Sequence, residues 1–160
     1  MKLIATKQGK TDRYDSLRCV RTNGTETTTR MPRQGTLPHD LIHYVVETVL
    51  GYEYGFLGLV AKGSDIAYAM EQSHDLRTEQ VTLQTIHAEA IVESLQAQLW
   101  NGEFDMDQFF AGLEGACAMR SQSAPDLSSI NPQIHLYEAV LELFRKWQQV
   151  PFYSHLELEM

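Results

Sequence analysis

The chain is poor in the residues that build covalent scaffolds or membrane spans. It has two cysteines in 160 residues, Cys19 and Cys117, far apart and in segments of different character. That count excludes a disulfide framework and a cysteine-rich zinc site, and it suits buried free thiols in a reducing compartment. No apolar run approaches the roughly 20 residues that a membrane helix needs. The opening MKLIATKQGK lacks the apolar stretch of a secretion signal. The expected setting is the cytoplasm, with no membrane partner. Positive charge is scarce too: 13 Lys and Arg stand against 21 Asp and Glu, a formal net charge of −8. Such a chain repels phosphate backbones, which argues against nucleic acid as a partner.

What is present is a globular composition. Hydrophobic residues make up 43% and charged residues 21%, enough for a core without staples. No linker or internal repeat divides the chain, so residues 1–160 read as one domain. Two regions differ in character. Residues 1–35 are β-prone, and Asn23-Gly24 sits between two β-prone runs, the strongest short hairpin signal because both residues tolerate positive φ. A two-residue loop would pair Thr22 with Thr25 and Arg21 with Glu26, the second pair being opposite in charge.

Residues 36–160 carry helical spacing. Thr36 suits an N-cap with Pro38 in the first turn. Leu41, Ile42, Val45, Val46, Val49 and Leu50 then recur at helix intervals before Gly51. The Gly-dotted stretch 51–63 predicts a turn and a short, closely packed helix. Further helices are expected over 65–72, 78–100, from Asp105 or Asp107 through Met119, and 133–149, where Pro151 stops the last one. The fold class is α+β: a small N-terminal antiparallel sheet followed by about five helices. Val45, Val49, Leu95 and Leu99 are expected in the core.

One segment suggests chemistry. In LPHDLIHYVVE, His39, His43 and Glu47 are spaced i, i+4, i+8. At roughly 100° per residue they form one stripe, drifting about 40° per step from the edge of the apolar arc toward the polar side. Two imidazoles one turn apart suit a divalent metal, zinc first, and a carboxylate can complete the set. One helix seldom closes a metal shell, so His87, in TIHAEAIVE with Glu89 and Glu93 beside it, is the expected fourth ligand. Asp40 is expected behind the ligands, holding a ring nitrogen, and Asp40 or Glu47 would act as base in metal-assisted hydrolysis. Arg30 and Arg33, just before the helix, would bind a small anionic ligand together with backbone N–H groups.

HDLIH followed by LGYEYGFLGLVA resembles the HD-x-x-H zinc-ligand motif of the coenzyme Q biosynthesis scaffold family, over about 20 residues. The resemblance implies a mainly helical fold with zinc ligands at His39 and His43. Where that family has a further ligating glutamate, this chain has Gly55, with Glu47 and Glu53 nearby.

The plainer reading stands beside these. Pro-His-Asp can simply open a helix, with Asp40 at the positive end of the dipole. His39, His43 and His87 are then satisfied structural residues, and the protein is a non-enzymatic interaction or scaffold protein, expected as a homodimer. Cys117 has no adjacent base and no nucleophile signature.

Overall fold

The computed structural model describes residues 1–67 and 79–160. Four strands form an antiparallel sheet: β1 (Lys2–Thr6), β2 (Tyr14–Val20), β3 (Glu26–Pro32) and β4 (His155–Glu159), in the order β3-β2-β1-β4. Between β3 and β4 run α1 (His39–Leu50), α2 (Phe56–Ala61), α3 (Glu79–Asn101), α4 (Met106–Met119), one π-helical turn (Gln133–Tyr137) and α5 (Glu138–Gln149), which the turn enters directly. The architecture is α+β, as the residue pattern predicts. The expected helix over 65–72 lies mostly outside the described residues, as do His74 and Asp75; its described start, through Ala67, is turn.

The hairpin forms, but its register differs from the expected one. Arg21 N donates to Thr25 O at 2.9 Å and Gly24 N to Arg21 O at 2.9 Å, so the loop holds three residues, with Gly24 at φ +82°. This is the three-residue turn in which glycine takes the left-handed position. Val20 therefore faces Glu26, and Arg21 faces Thr25. Glu26 reaches diagonally to Arg18 at 3.0 Å. Arg21 instead donates to Val60 O and Ser64 O, both at 2.6 Å, fastening the hairpin to the carbonyl end of α2. A slip of one residue would turn each strand over. The observed register sends Leu17, Cys19 and Met31 inward beside Leu3 and Ala5.

Strand β4 was not expected. His155, Glu157 and Glu159 face solvent while Leu156 and Leu158 are half-buried, a period-two pattern that suits a half-covered strand. Its partner is β1, at the opposite end of the chain.

Helix α1 lies at the centre, against β3, α2, α3 and α5. One continuous apolar cluster joins the inner sheet face to Leu41, Ile42, Val45, Val46, Ile91, Leu95, Phe109, Leu113, Leu143 and Trp147. Val45, Leu95 and Leu99 are buried, as expected, but Val49 is 39% exposed. The last turn of α1 emerges from its neighbours: Thr48 is exposed as well and Leu50 only half-buried. Thr36 caps nothing, because Pro38 occupies the N-cap position and the Thr36 hydroxyl has no hydrogen-bond partner. The far end of α1 follows the expectation: Gly51 adopts the left-handed conformation (φ 64°) and Tyr52 N donates back to Glu47 O at 3.0 Å. Asp105 caps α4 by accepting from Gln108 N at 2.9 Å.

An ionic cluster stands at the sheet end. Asp15, 2% exposed, accepts from Arg33 through Nε and Nη2, the shortest contact being 2.6 Å, and from Gln8 N at 2.9 Å. Arg33 also donates to Gln8 O at 3.0 Å and lies over the Phe152 ring. Its donors are spent on structure.

Candidate metal centre

Residues three and four apart on a helix share a face. That rule brings His39 and His43 of α1 together, with ring centroids 5.0 Å apart. Helix α3 crosses this face and presents Glu89. The His43 Nε2 to Glu89 Oε2 distance is 3.1 Å, and His39 Nε2 lies 3.4 Å from Glu89 Oε1. One nitrogen from each imidazole and one Glu89 oxygen lie within 4.8 Å of one another, the spacing of ligands around one cation. Two imidazoles and a carboxylate form the donor set of hydrolytic zinc sites and of open iron(II) sites.

The other side of His43 is held by Glu47. His43 Nδ1 and Glu47 Oε1 are 3.0 Å apart. Glu47 in turn accepts from Leu57 N at 3.1 Å and Gly58 N at 2.9 Å, the first-turn donors of α2. It thereby caps α2, whose own N-cap, Gly55, has no side chain to do so. A Cβ at residue 55 would collide with the Glu47 carboxyl group, so a glycine there is what lets Glu47 reach both α2 and His43. The same collision rules out a ligating side chain at position 55. A Cβ at Gly58 would meet the Glu53 backbone, which accounts for the close packing expected of this stretch.

The structure thus rearranges the expected site. Glu47 is buried behind His43, on the ring nitrogen opposite Glu89, so it orients the imidazole and does not share the ligand cluster. His87 stands away from it: its Nε2 donates to Ser123 O at 2.9 Å. Two residues along a helix turn through about 200°, so His87 and Glu89 of α3 cannot face the same cleft. Glu89, named only as a neighbour of His87, is the residue that faces α1. The signal for it lay in its offset from His87, but which face of α3 meets α1 is decided by packing. Nor does Asp40 hold a ring nitrogen. His43 Nδ1 faces Glu47, and His39 Nδ1 lies 3.5 Å from Gln96 Oε1. Asp40 lines a cavity of about 300 Å³ with His39, His43, Phe56, Glu89 and Arg120.

Arg30 and Arg33 do not converge on an anion. Arg33 is committed to Asp15, while Arg30 lies 5.1 Å from the centre of the Tyr14 ring. Arg30 lines a neighbouring cleft of about 490 Å³, which shares His39, Asp40 and Phe56 with the smaller cavity.

The electrostatics follow from burial opposed by pairing. Burial by itself lowers the pKa of His43, but its hydrogen bonds to Glu47 and Glu89 more than offset this and hold it up at about 9. Burial would raise Glu89, yet His39 and His43 hold its carboxyl well below the usual range. Asp40 is shifted upward, chiefly by burial and with Glu89 adding, against the pull of His43 and His39. Without a cation, His43 is therefore an imidazolium between two carboxylates. With one bound, its Nε2 proton must leave, and Nδ1–H still donates to Glu47, the arrangement by which a carboxylate orients a metal-bound histidine.

Among the described residues no helix is long and apolar enough to cross a membrane. No protein-family model, curated protein or solved structure matches the chain.

Proposed function

We propose that this protein binds a divalent transition metal through His39, His43 and Glu89 and uses it for metal-assisted hydrolysis. The observation that carries the reading is the convergence of three donor atoms from two helices within 4.8 Å, beside an open cavity of about 300 Å³. Glu47 behind His43 supports it, because a carboxylate there fixes the tautomer a ligand needs. A nitrogen and oxygen donor set suits zinc first, with iron(II) next. Such an ion activates water at neutral pH. Asp40, on the cavity wall, would accept the proton, its carboxyl shifted upward from the ordinary range by burial.

A specific observation favours a second reading. Both ring nitrogens of His43 already have carboxylate partners, so Glu47–His43–Glu89 is complete as a buried ion triad. In that case the histidines are structural, and the protein is an interaction or scaffold module, proposed to act as a homodimer.

Elemental analysis of protein purified without a histidine tag separates the two. The metal reading expects a near-stoichiometric divalent ion that is lost in His39→Ala and Glu89→Gln and retained in His87→Ala. A folded, metal-free wild type that takes up neither zinc nor iron(II) on dialysis would leave the triad reading standing.

A further inference from the structure

The cavity beside His39, His43 and Glu89 takes two wall residues from outside the two ligand helices, Phe56 of α2 and Arg120, and the second is a cation. Arg120 follows α4 as its C-cap and lines the cavity. Its guanidinium is held by three hydrogen bonds to two partners: Nη1 and Nη2 donate to the Glu93 carboxylate at 3.1 and 2.8 Å, and Nη1 also donates to Ala116 O at 3.0 Å. Among the described residues no acceptor meets its Nε–H. Glu93 lies one helical turn after Glu89 on α3, so the ion pair sits one step along the same face as the proposed ligand. Arg120 and Glu89 are close enough for the Glu89 charge to act on the guanidinium.

The backbone beside Arg120 is also unusual. Ser121 has φ +56°, a conformation that side-chain-bearing residues rarely adopt, and glycine is the ordinary choice after a helix end. Gln122 N donates to Cys117 O at 3.0 Å across this turn, locking the direction in which Arg120 leaves the helix. Strain held in place by surrounding bonds is a recurrent feature of ligand-holding segments.

Charge gives the fixed guanidinium a role. A divalent ion at the cluster offsets the negative charges of Glu89 and Asp40. Glu93 is 41% exposed on its side chain, so water and salt screen its hold on Arg120. The cavity then presents a cation and a guanidinium fork to the same space. That combination matches an oxyanion, with one oxygen on the metal and another on the guanidinium.

Resting on the metal reading above, we propose that Arg120 is the residue that positions an anionic substrate, a phosphate ester or a molecule bearing a free carboxylate, against the ion held by His39, His43 and Glu89. It acts as a positioning residue and takes no proton. Phe56, the one apolar side chain on the cavity wall, faces the non-ionic part of such a molecule.

The test uses cobalt(II) as the metal and inorganic phosphate and acetate as probes, on the full chain. Cobalt uptake is read from its visible absorption, and probe binding from the change in that band. The wild type is expected to bind phosphate at the cobalt centre. Arg120→Gln should weaken phosphate by about tenfold or more, equivalent to about 1.4 kcal/mol, and leave cobalt stoichiometry intact; Arg120→Lys should retain part of the binding. Acetate binding with the same dependence on Arg120, in the absence of phosphate binding, would assign a carboxylate substrate. Equal phosphate and acetate binding in wild type and Arg120→Gln would overturn the role of Arg120 while leaving the metal reading in place. Failure of cobalt to bind at all would remove the metal reading and this inference with it. Thermal unfolding of both variants checks the fold, and since the Arg120–Glu93 pair is partly exposed, only a small change is expected there.

Discussion

Two buried ionic clusters sit in this molecule, and they are built differently. At the sheet end, Asp15 and Arg33 satisfy each other, and their remaining capacity goes to the Gln8 amide and to backbone carbonyls. At the centre, Glu47, His43 and Glu89 form a second cluster, but one side of it opens on a cavity that also holds His39, Asp40 and Arg120. Both contain side chains that sequence inspection singles out as functional. What separates them is the unused coordination. A charge whose partners are all protein groups holds the fold together, whereas a cluster of donors facing open volume has capacity left for a ligand.

That contrast can be broken by measurement. The largest effect is expected at Asp15→Ala, which strands the Arg33 guanidinium against a buried site and should cost about 3–5 kcal/mol. Urea unfolding should give this loss equally with and without added divalent metal; a metal-dependent loss would mean the sheet cluster is more than structural. Next comes His43→Ala, which leaves Glu89 without its closest buried partner. We expect about 3 kcal/mol in metal-free protein, and a larger gap from wild type once zinc is added, because only the wild type gains binding energy on folding. An identical gap in both conditions would favour the pure ion triad.

The pH dependence of metal-free protein should be of similar size, since titrating His43 removes the charge that its two carboxylate partners hold. The folded-state pKa of His43, about 9, exceeds the ordinary value of 6.5. Its contribution is therefore complete below about pH 6.5 and fades as pH rises through about 9. Glu89 shifts the opposite way, so its contribution is present above its ordinary value of 4.5 and is lost in acid, as pH falls toward its depressed folded value. Stability from the central cluster should peak between these limits, and denaturant midpoints measured from about pH 3 to 9.5 would show it. A midpoint that climbs steadily through that range would contradict an imidazolium at His43.

The smallest effects are at residues outside both clusters. Val49→Ser should change stability by only about 0.5 kcal/mol, because Val49 is already 39% exposed. Cys19, whose thiol is pushed up to about 12 by burial, and Cys117 should react with thiol reagents only on unfolding. Rapid labelling of native protein would show that the core opens around them.

Much of the fold was legible because its signals are local. The i, i+3, i+4 recurrence in α1, Gly51 at its end and Asp105 before α4 act within a few residues of where they are written. The hairpin was legible as a hairpin. Its register was not, since two- and three-residue loops both accommodate Asn23-Gly24, and the choice that buries Leu17, Cys19 and Met31 is made by the helices beneath. Strand β4 has clean alternation, yet its pairing with β1 spans nearly the whole chain, and no local pattern reports that. In the site, the pairing of His39 with His43 followed from helix geometry alone.

The sequence by itself determined that this is an acidic α+β chain and that two histidines share one stripe of one helix, because composition and helical period are properties of neighbouring residues. The third dimension decided what faces that stripe. Glu89 instead of His87 came from the face α3 turns to α1. Glu47 became a cap for α2 and a support for His43, because Gly55 leaves room for its carboxylate. Arg33 was drawn to Asp15, and Arg120 arrived from another helix. Each of these assignments depends on distances between segments far apart in the chain, and packing sets those distances.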